Sequence, residues 1–301
     1  MAAHDTIDQA FVTAWDQALM HKAQQTVSRL MATITDKGTI EGESFTHNTV
    51  GTTEMDEKVG RLGDTVWSDI EHGTAIADMK DYFKAVPLDR ADIPKMKINP
   101  VAGGDYMQIL LSARNRLVDR VIFDALLNPQ RYKDGSVIQL PNTQKVLNSG
   151  VGLTKAKIIQ VKSIFRGNEL DEHNGEDLYF LYNSDMLQQI LGDTTLTSAD
   201  FMSVKMLQEG DVSKKWLGFN WVPYNNLRFA GNIATTAAYC RSAAKIGRGY
   251  EEGDVARRPD KQNAWQVSMA ASYGALRTEE KRVVSVDFRT KPTDNLKNPQ
   301  V

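Results

Sequence analysis

The chain is predicted to fold as a mixed α/β or α+β protein, because helix-like and strand-like segments are interspersed along it. One observation behind this is a long amphipathic stretch at 105–127, where Tyr106, Ile109, Leu110, Ala113, Leu117 and Val121 recur at helical spacing. Another is Asp177-Leu178-Tyr179-Phe180-Leu181-Tyr182, a continuous apolar run that suits a buried strand. A third separates the outline from a plain globular domain. Residues 36–75 are rich in Gly, Thr, Glu and Asp, and too poor in large apolar residues to have a core of their own.

In chain order, 5–31 reads as an amphipathic helix capped by Asp5, with Ile7, Phe11, Trp15, Leu19 and Met20 on one face. It either docks on another element or subunit or forms the first helix of the core. Ser44-Phe45-Thr46 and Thr65-Val66-Trp67 alternate in polarity and are predicted strands of a long polar hairpin reaching outward, with Gly51, Gly60, Gly63 and Gly73 as breakers. Pro87, Pro94 and Pro100 punctuate an extended connection. The 105–127 helix is expected to be capped by Asp105 and ended by Asn128-Pro129. Burial of each large aliphatic on its stripe contributes roughly 1.5–3 kcal/mol. Arg114, Arg116, Asp119 and Arg120 lie largely off that stripe.

A turn-rich link at 129–152 follows. Thr154 is the predicted cap of a helix to about 166, with Leu153 stapled to Ile158. Ser184 starts a short helix closed by Gly192, and Ser198 another closed by Gly210. Trp216–Val222 reads as a strand and 233–246 as an Ala-rich helix carrying Cys240. Trp265, Val267, Met269 and Ala271 form one strand face, with 282–288 as its partner strand.

Composition narrows the function. The 301 residues hold 36 Lys and Arg against 38 Asp and Glu, a net charge of -2. This argues against a dedicated nucleic-acid binder, though a local face can still touch DNA. A chain of this size buries a substantial core without metal or disulfide. Cys240 is the only cysteine, so no intrachain disulfide forms, and it is expected to be an inert packed thiol. The N-terminus lacks a basic-then-apolar signal, and no stretch reaches about 18 uninterrupted apolar residues. The expectation is no membrane span and residence in the cytosol of the host cell.

Motifs for chemistry are missing. His4, His21, His47, His72 and His173 show no helical ligand spacing, and neither a phosphate-binding loop nor a Gly-x-Ser-x-Gly elbow occurs. Gly247-Arg248-Gly249 reads as a flexible loop. The carboxylates Glu54, Asp56 and Glu57, and again Glu251, Glu252 and Asp254, sit in Gly-flanked polar segments with Lys58, Arg61 or Arg257 nearby. They are expected to be solvated or to contact another subunit rather than to catalyse. Arg248, Arg257, Arg258 and Lys261 are expected to form salt bridges between neighbouring chains. No catalytic, cofactor-binding or metal residue is assigned, and the chain is not expected to be an enzyme.

Four segments, in order, resemble the major capsid proteins of tailed bacteriophages that share the Hong Kong 97-type fold. Thr52-Thr53-Glu54-Met55-Asp56-Glu57-Lys58-Val59-Gly60-Arg61 is similar to the Gly/Ser-Thr-x-Met-x-Glu-x-Thr-Gly-Arg region of that group's extended loop. Arg114, Asp119 and Arg120-Val121-Ile122-Phe123-Asp124-Ala125-Leu126 resemble its Asp-x-x-Ile-x-x-Ala-Leu spine helix. The third segment runs from Leu178 through Leu191-Gly192-Asp193-Thr194 and Thr197-Ser198-Ala199-Asp200-Phe201 to Leu217-Gly218-Phe219. The fourth joins Arg258-Pro259-Asp260-Lys261, Gly274-Ala275-Leu276-Arg277 and Val283-Val284-Ser285-Val286. Residues 1–40 and 231–257 depart most from the pattern.

The resemblance implies an α+β fold with an N-terminal arm at 1–35 and an extended loop at 36–78. It implies a peripheral domain at 79–150 and 261–301 with its spine helix at 105–127, and an axial domain at 151–260. It further implies self-assembly into hexamers and pentamers of an icosahedral head around double-stranded DNA, which the shell contacts non-specifically at most. Assembly in the host cytoplasm, a portal protein, and scaffold and decoration proteins belong to the same expectation. Glu54, Asp56, Glu57, Lys58 and Arg61 become candidate inter-subunit contacts. An encapsulin-like nanocompartment shell and a cytosolic enzyme are the alternatives.

Overall fold

The computed structural model describes residues 22–57, 60–61, 67–92, 104–170, 174–192 and 215–290. Strands run along the chain as Thr35–Thr39 (β1), Ser44–Val50 (β2), His72–Asp78 (β3), Lys80–Leu88 (β4) and Gln130–Tyr132 (β5). There follow Val137–Ile138 (β6), Lys145–Val146 (β7), Leu178–Tyr182 (β8), Lys215–Trp216 (β9) and Phe219–Pro223 (β10). The last are Arg228–Ala230 (β11), Ile233–Cys240 (β12), Ala244–Arg258 (β13), Ala264–Arg277 (β14) and Val283–Arg289 (β15). The helices are Asp105–Leu127 (α1), Lys155–Gly167 (α2) and Ser184–Gly192 (α3). Helices and sheets segregate as in an α+β protein.

The strands form three sheets. A seven-stranded sheet is ordered β7-β15-β12-β8-β10-β9, with β11 beside β12. A four-stranded sheet is ordered β1-β13-β14-β4, and a second one β2-β3-β5-β6. The main core lies where α1, α2 and α3 meet the seven-stranded sheet. There Val118, Ile122, Phe123 and Leu126 of α1 share one cluster with Ile158, Val161 and Phe165 of α2 and with Met186 and Ile190 of α3. Phe180, Phe219 and Trp221 fill its centre, with the Phe180 and Trp221 rings stacked at 4.6 Å. A smaller cluster of Leu110, Val267 and Met269 seats the first half of α1 on β14.

Helix α1 has the predicted length, but Gly104, in a left-handed conformation (φ 77°), occupies the cap position, and Asp105 is its first residue. Its end is the predicted one: Asn128 is extended before Pro129 and donates its N–H to Asp124 O at 2.8 Å. The buried face is wider than the predicted stripe. Ile109 is exposed, while Val118, Asp119, Ile122, Phe123 and Leu126 are buried, because α1 packs on two sheets at once. Thr154 caps α2 as expected, its side chain accepting from Lys157 N. Asn183 caps α3 by accepting from Met186 N at 2.9 Å.

Several predicted elements are corrected. Residues 233–246 are not a helix but β12 and the start of β13. The alanines favour helix by intrinsic propensity, yet the segment lies between β15 and β8 with both faces covered, where small side chains permit close packing. Trp216–Val222 is not one strand: Leu217 (φ 50°) and Gly218 (φ 79°) make a two-residue turn between β9 and β10. Gly247-Arg248-Gly249 is no flexible loop but lies within β13, next to a bulge between Arg248 and Glu251. The partners of β14 are β13 and β4, whereas 283–289 pairs with β12 and β7. β13 shares a sheet with β4, and β15 one with β8. The turn-rich 129–152 link holds the short strands β5, β6 and β7. The predicted first helix falls mostly outside the described residues, and its end, 22–30, is not helical. The predicted helix at 198–210 also lies outside them.

Candidate inter-subunit surfaces

The polar stretch at 36–75 contains a hairpin. β2 and β3 pair in register from Ser44 opposite Asp78 to Val50 opposite His72, and the pairing continues through Gly51 N to Glu71 O at 2.7 Å. The strands thus run over 44–50 and 72–78, and Trp67, predicted to be in the second strand, lies in the connection between them. Packing is confined to the strands, where Ala75 is fully buried beside β5. Phe45 and Ala77 cluster with Leu276 of β14, and Ile40 and Met79 lean on them.

The connection beyond the strands carries the candidate contacts. Glu54, Asp56, Glu57 and Arg61 are all exposed, and Lys58 lies outside the described residues. Among the described residues, none of these three carboxylates has a hydrogen-bond or ion-pair partner. Met55 is wholly exposed at 102% and Trp67 at 89%. Large apolar side chains beside unpaired carboxylates are what a surface looks like when its partner is another molecule.

The remaining charged groups behave differently. Glu251 accepts from Arg114 Nη1 at 3.0 Å and from Tyr273 OH at 2.6 Å. Arg248 pairs with Asp36 at 2.6 Å, Arg258 with Asp260 at 2.9 Å, and Arg257 lies 4.6 Å over the Trp265 ring. Within the chain, Arg248 thus has a carboxylate partner on β1, Arg258 one two residues along, and Arg257 an aromatic ring of β14.

The burial of two fully enclosed charged residues, Asp119 and Arg277, escaped the sequence reading. Asp119 of α1 is fully buried and accepts from Ser28 Oγ at 2.6 Å, Leu30 N at 3.1 Å, Arg29 N at 3.1 Å and Gln25 Nε2. Asn115 Nδ2 donates to Thr26 O at 2.6 Å and Arg116 Nη1 to Gln24 Oε1 at 2.8 Å, so one edge of α1 holds residues 24–30 as a polar clamp. Arg277, at the end of β14, is also fully buried. Its guanidinium donates to the carbonyls of Leu126 at 3.1 Å, Asn128 at 2.9 Å and Ile138 at 3.2 Å. A cation at those last carbonyls complements the helix dipole of α1.

Cys240 is buried at the end of β12, where burial raises its thiol above the ordinary range. Among the described residues no group of three or more His, Cys, Asp or Glu is arranged to hold a metal, and no helix is long and apolar enough to cross a membrane.

The described residues thus present an exposed hairpin connection and no assembled metal site. A family model for phage capsid proteins matches residues 7–290. The chain belongs to the phage capsid protein family, and its role is that of a structural component of a phage head. Among solved structures, the capsid of Ralstonia phage GP4 superposes with a TM-score of 0.69 at 14% identity, covering 100% of both chains. A chain of Mycobacterium phage Che8 gives 0.66 at 16% identity, covering 95% of this chain and 98% of its own. One of Gordonia phage Cozz gives 0.66 at 13%, covering 94% and 93%. At these identities the likeness establishes the fold. The sequence matches no curated protein.

Proposed function

We propose that this chain is the major subunit that tiles the phage head, assembling into hexamers and pentamers of an icosahedral shell around double-stranded DNA. The arrangement is of the Hong Kong 97 type. Residues 1–35 serve as an arm, 36–78 as the extended loop, 79–150 and 261–301 as a peripheral domain around α1, and 151–260 as an axial domain. Assembly takes place in the host cytoplasm with a portal protein and, where required, scaffold and decoration proteins. The shell touches DNA only through non-specific contacts. Glu54, Asp56, Glu57, Lys58 and Arg61 act between subunits, and no catalysis is assigned to the chain.

The observation that carries this reading is the hairpin: strands packed at one end and, beyond them, a connection exposing Met55 and Trp67. The test is replacement of 52–70 by a short Gly-Ser linker. Phe45 must stay, because it is buried on Leu276 and its loss would open a cavity at the root. The variant is expected to fold, with an unchanged circular dichroism melt, and to form no shells in electron micrographs. Normal shells from it would remove the hairpin from the assembly mechanism.

A further inference from the structure

Two lysine side chains and a neutral histidine meet at the root of the hairpin. Lys245 Nζ of β13 lies 3.2 Å from His47 Nδ1 of β2, so the neutral imidazole accepts from the ammonium. Lys37 of β1 reaches the same place, donating to Thr46 O at 2.7 Å and standing 5.0 Å from the centroid of the Phe45 ring. Burial, then the charges of Lys245 and Lys37, hold His47 below its ordinary range, and burial followed by Lys37 lowers Lys245. Among the described residues no carboxylate bonds to any of the three. Asp36, next to Lys37, is engaged with Arg248, and the nearby Arg282 is engaged with Glu176 and Glu279. Like charges gathered without a counter-charge raise the free energy of the isolated chain, and an incoming anion relieves it.

The same chain carries a matching anion. Glu54, Asp56 and Glu57 place three carboxylates within four residues, exposed and without partners among the described residues. They do not bond to the cluster of their own chain. Two oppositely charged patches that each lack a counter-charge among the described residues are the complementary halves a heterologous contact needs, repeated from copy to copy around a ring.

We propose that the Lys37, His47 and Lys245 cluster at the hairpin root receives the Glu54, Asp56 and Glu57 carboxylates of a second copy of this chain. This rests on the reading of the hairpin connection as an inter-subunit contact and names the surface that receives it. The other polyanion in a phage head is DNA. A duplex offers phosphates along a line and is held by an extended row of cations, whereas two ammonium groups from β1 and β13 converging on the His47 imidazole of β2 suit a compact acidic run.

Charge exchange tests the pairing. Reversal of the hairpin carboxylates (E54K/D56K/E57K) and reversal of the cluster (K37E/K245E) each leave a folded subunit by circular dichroism. Each is expected to cut shell yield roughly tenfold or more, because one lost contact recurs at every copy. Both reversals in one chain restore shells. If the cluster reversal assembles normally, or if the combined chain stays unassembled, the pairing is overturned. A hairpin reversal that still blocks assembly would then leave the hairpin as a contact to some other surface. Cluster-reversed shells that form normally but lose packaged DNA assign the cluster to phosphate and overturn the pairing too.

A second measurement does not depend on the variants folding. Wild-type particles built from mixed nitrogen-15-labelled and unlabelled chains are treated with a carbodiimide and analysed by mass spectrometry. Zero-length cross-links from Lys37 or Lys245 to Glu54, Asp56 or Glu57 are expected between a heavy and a light chain. Their absence, or links confined to one chain, overturns the proposal.

Discussion

Asp119 lies off the apolar stripe read from the sequence, yet it is fully buried and accepts from the side chains of Gln25 and Ser28 and the backbone of Arg29 and Leu30. A buried carboxylate surrounded by donors is tolerated only because those donors replace water. Asp119→Ala leaves the donors without an acceptor and is expected to cost about 3 kcal/mol, measured by urea unfolding of the unassembled subunit. Asp119→Asn keeps the shape but turns an amide donor toward other donors, and is expected to recover only part of that loss. Lys157 makes a second residue-scale case. Its ammonium donates to the carbonyls of Asn148 at 2.8 Å, Val151 at 3.2 Å and Asp287 at 2.9 Å, and burial lowers its pKa to about 8. Between that value and the ordinary lysine value near about 10.4 the unfolded chain binds more protons than the folded one, so stability rises with pH across that window. Relative to Lys157→Met, which does not titrate, the wild-type subunit should gain up to about 3 kcal/mol from pH 7.5 to 10.5, read from thermal melts at several pH values. Neither residue was legible in the sequence. Asp119 meets residues some ninety positions earlier and Lys157 meets Asp287 as well as the nearby 148–151 turn, whereas helical periodicity alone reports on apolar positions.

At the scale of elements, boundaries set by local chemistry were legible and those set by neighbours were not. The stop at Asn128-Pro129 and the cap at Thr154 follow from backbone sterics and one hydroxyl, and both stand. Ile233–Cys240 could not be recognised as a strand from its alanines, because its conformation is imposed by β8 and β15 on either side. Glycine at 247 was misread for a related reason. A Cβ there would stand 2.6 Å from Ile40 Cγ1 and 2.9 Å from Phe45 Cε1, so the glycine marks a close approach of the hairpin root to β13, not a loop. Gly247→Val is therefore expected to destabilise the subunit by about 2 kcal/mol through overpacking, visible as a lower urea midpoint. It should also loosen the hairpin root, which carries Lys37 and His47.

For the whole molecule, the class of fold and the outward hairpin were legible from contrast alone. A core-poor polar stretch beside a strongly amphipathic helix signals a part that packs elsewhere. Of the proposed contact, Glu54, Asp56 and Glu57 were legible in the sequence as an acidic cluster, but Lys37, His47 and Lys245 come together only once β1, β2 and β13 are placed. Replacing 52–70 is expected to abolish shells although each exposed ion pair is worth only about 0.2–1 kcal/mol, because the loss is multiplied over every copy of the lattice. The buried Arg277 adds a mechanical consequence. Gln130 Nε2 donates to Ile76 O at 2.8 Å, Gln130 Oε1 accepts from Arg277 N at 3.0 Å, and the guanidinium grips the end of α1 and Ile138. Hairpin, helix end and sheet are thus welded at one joint, so the hairpin cannot pivot where it leaves the body. The paired strands and the body therefore move together as one stiff unit.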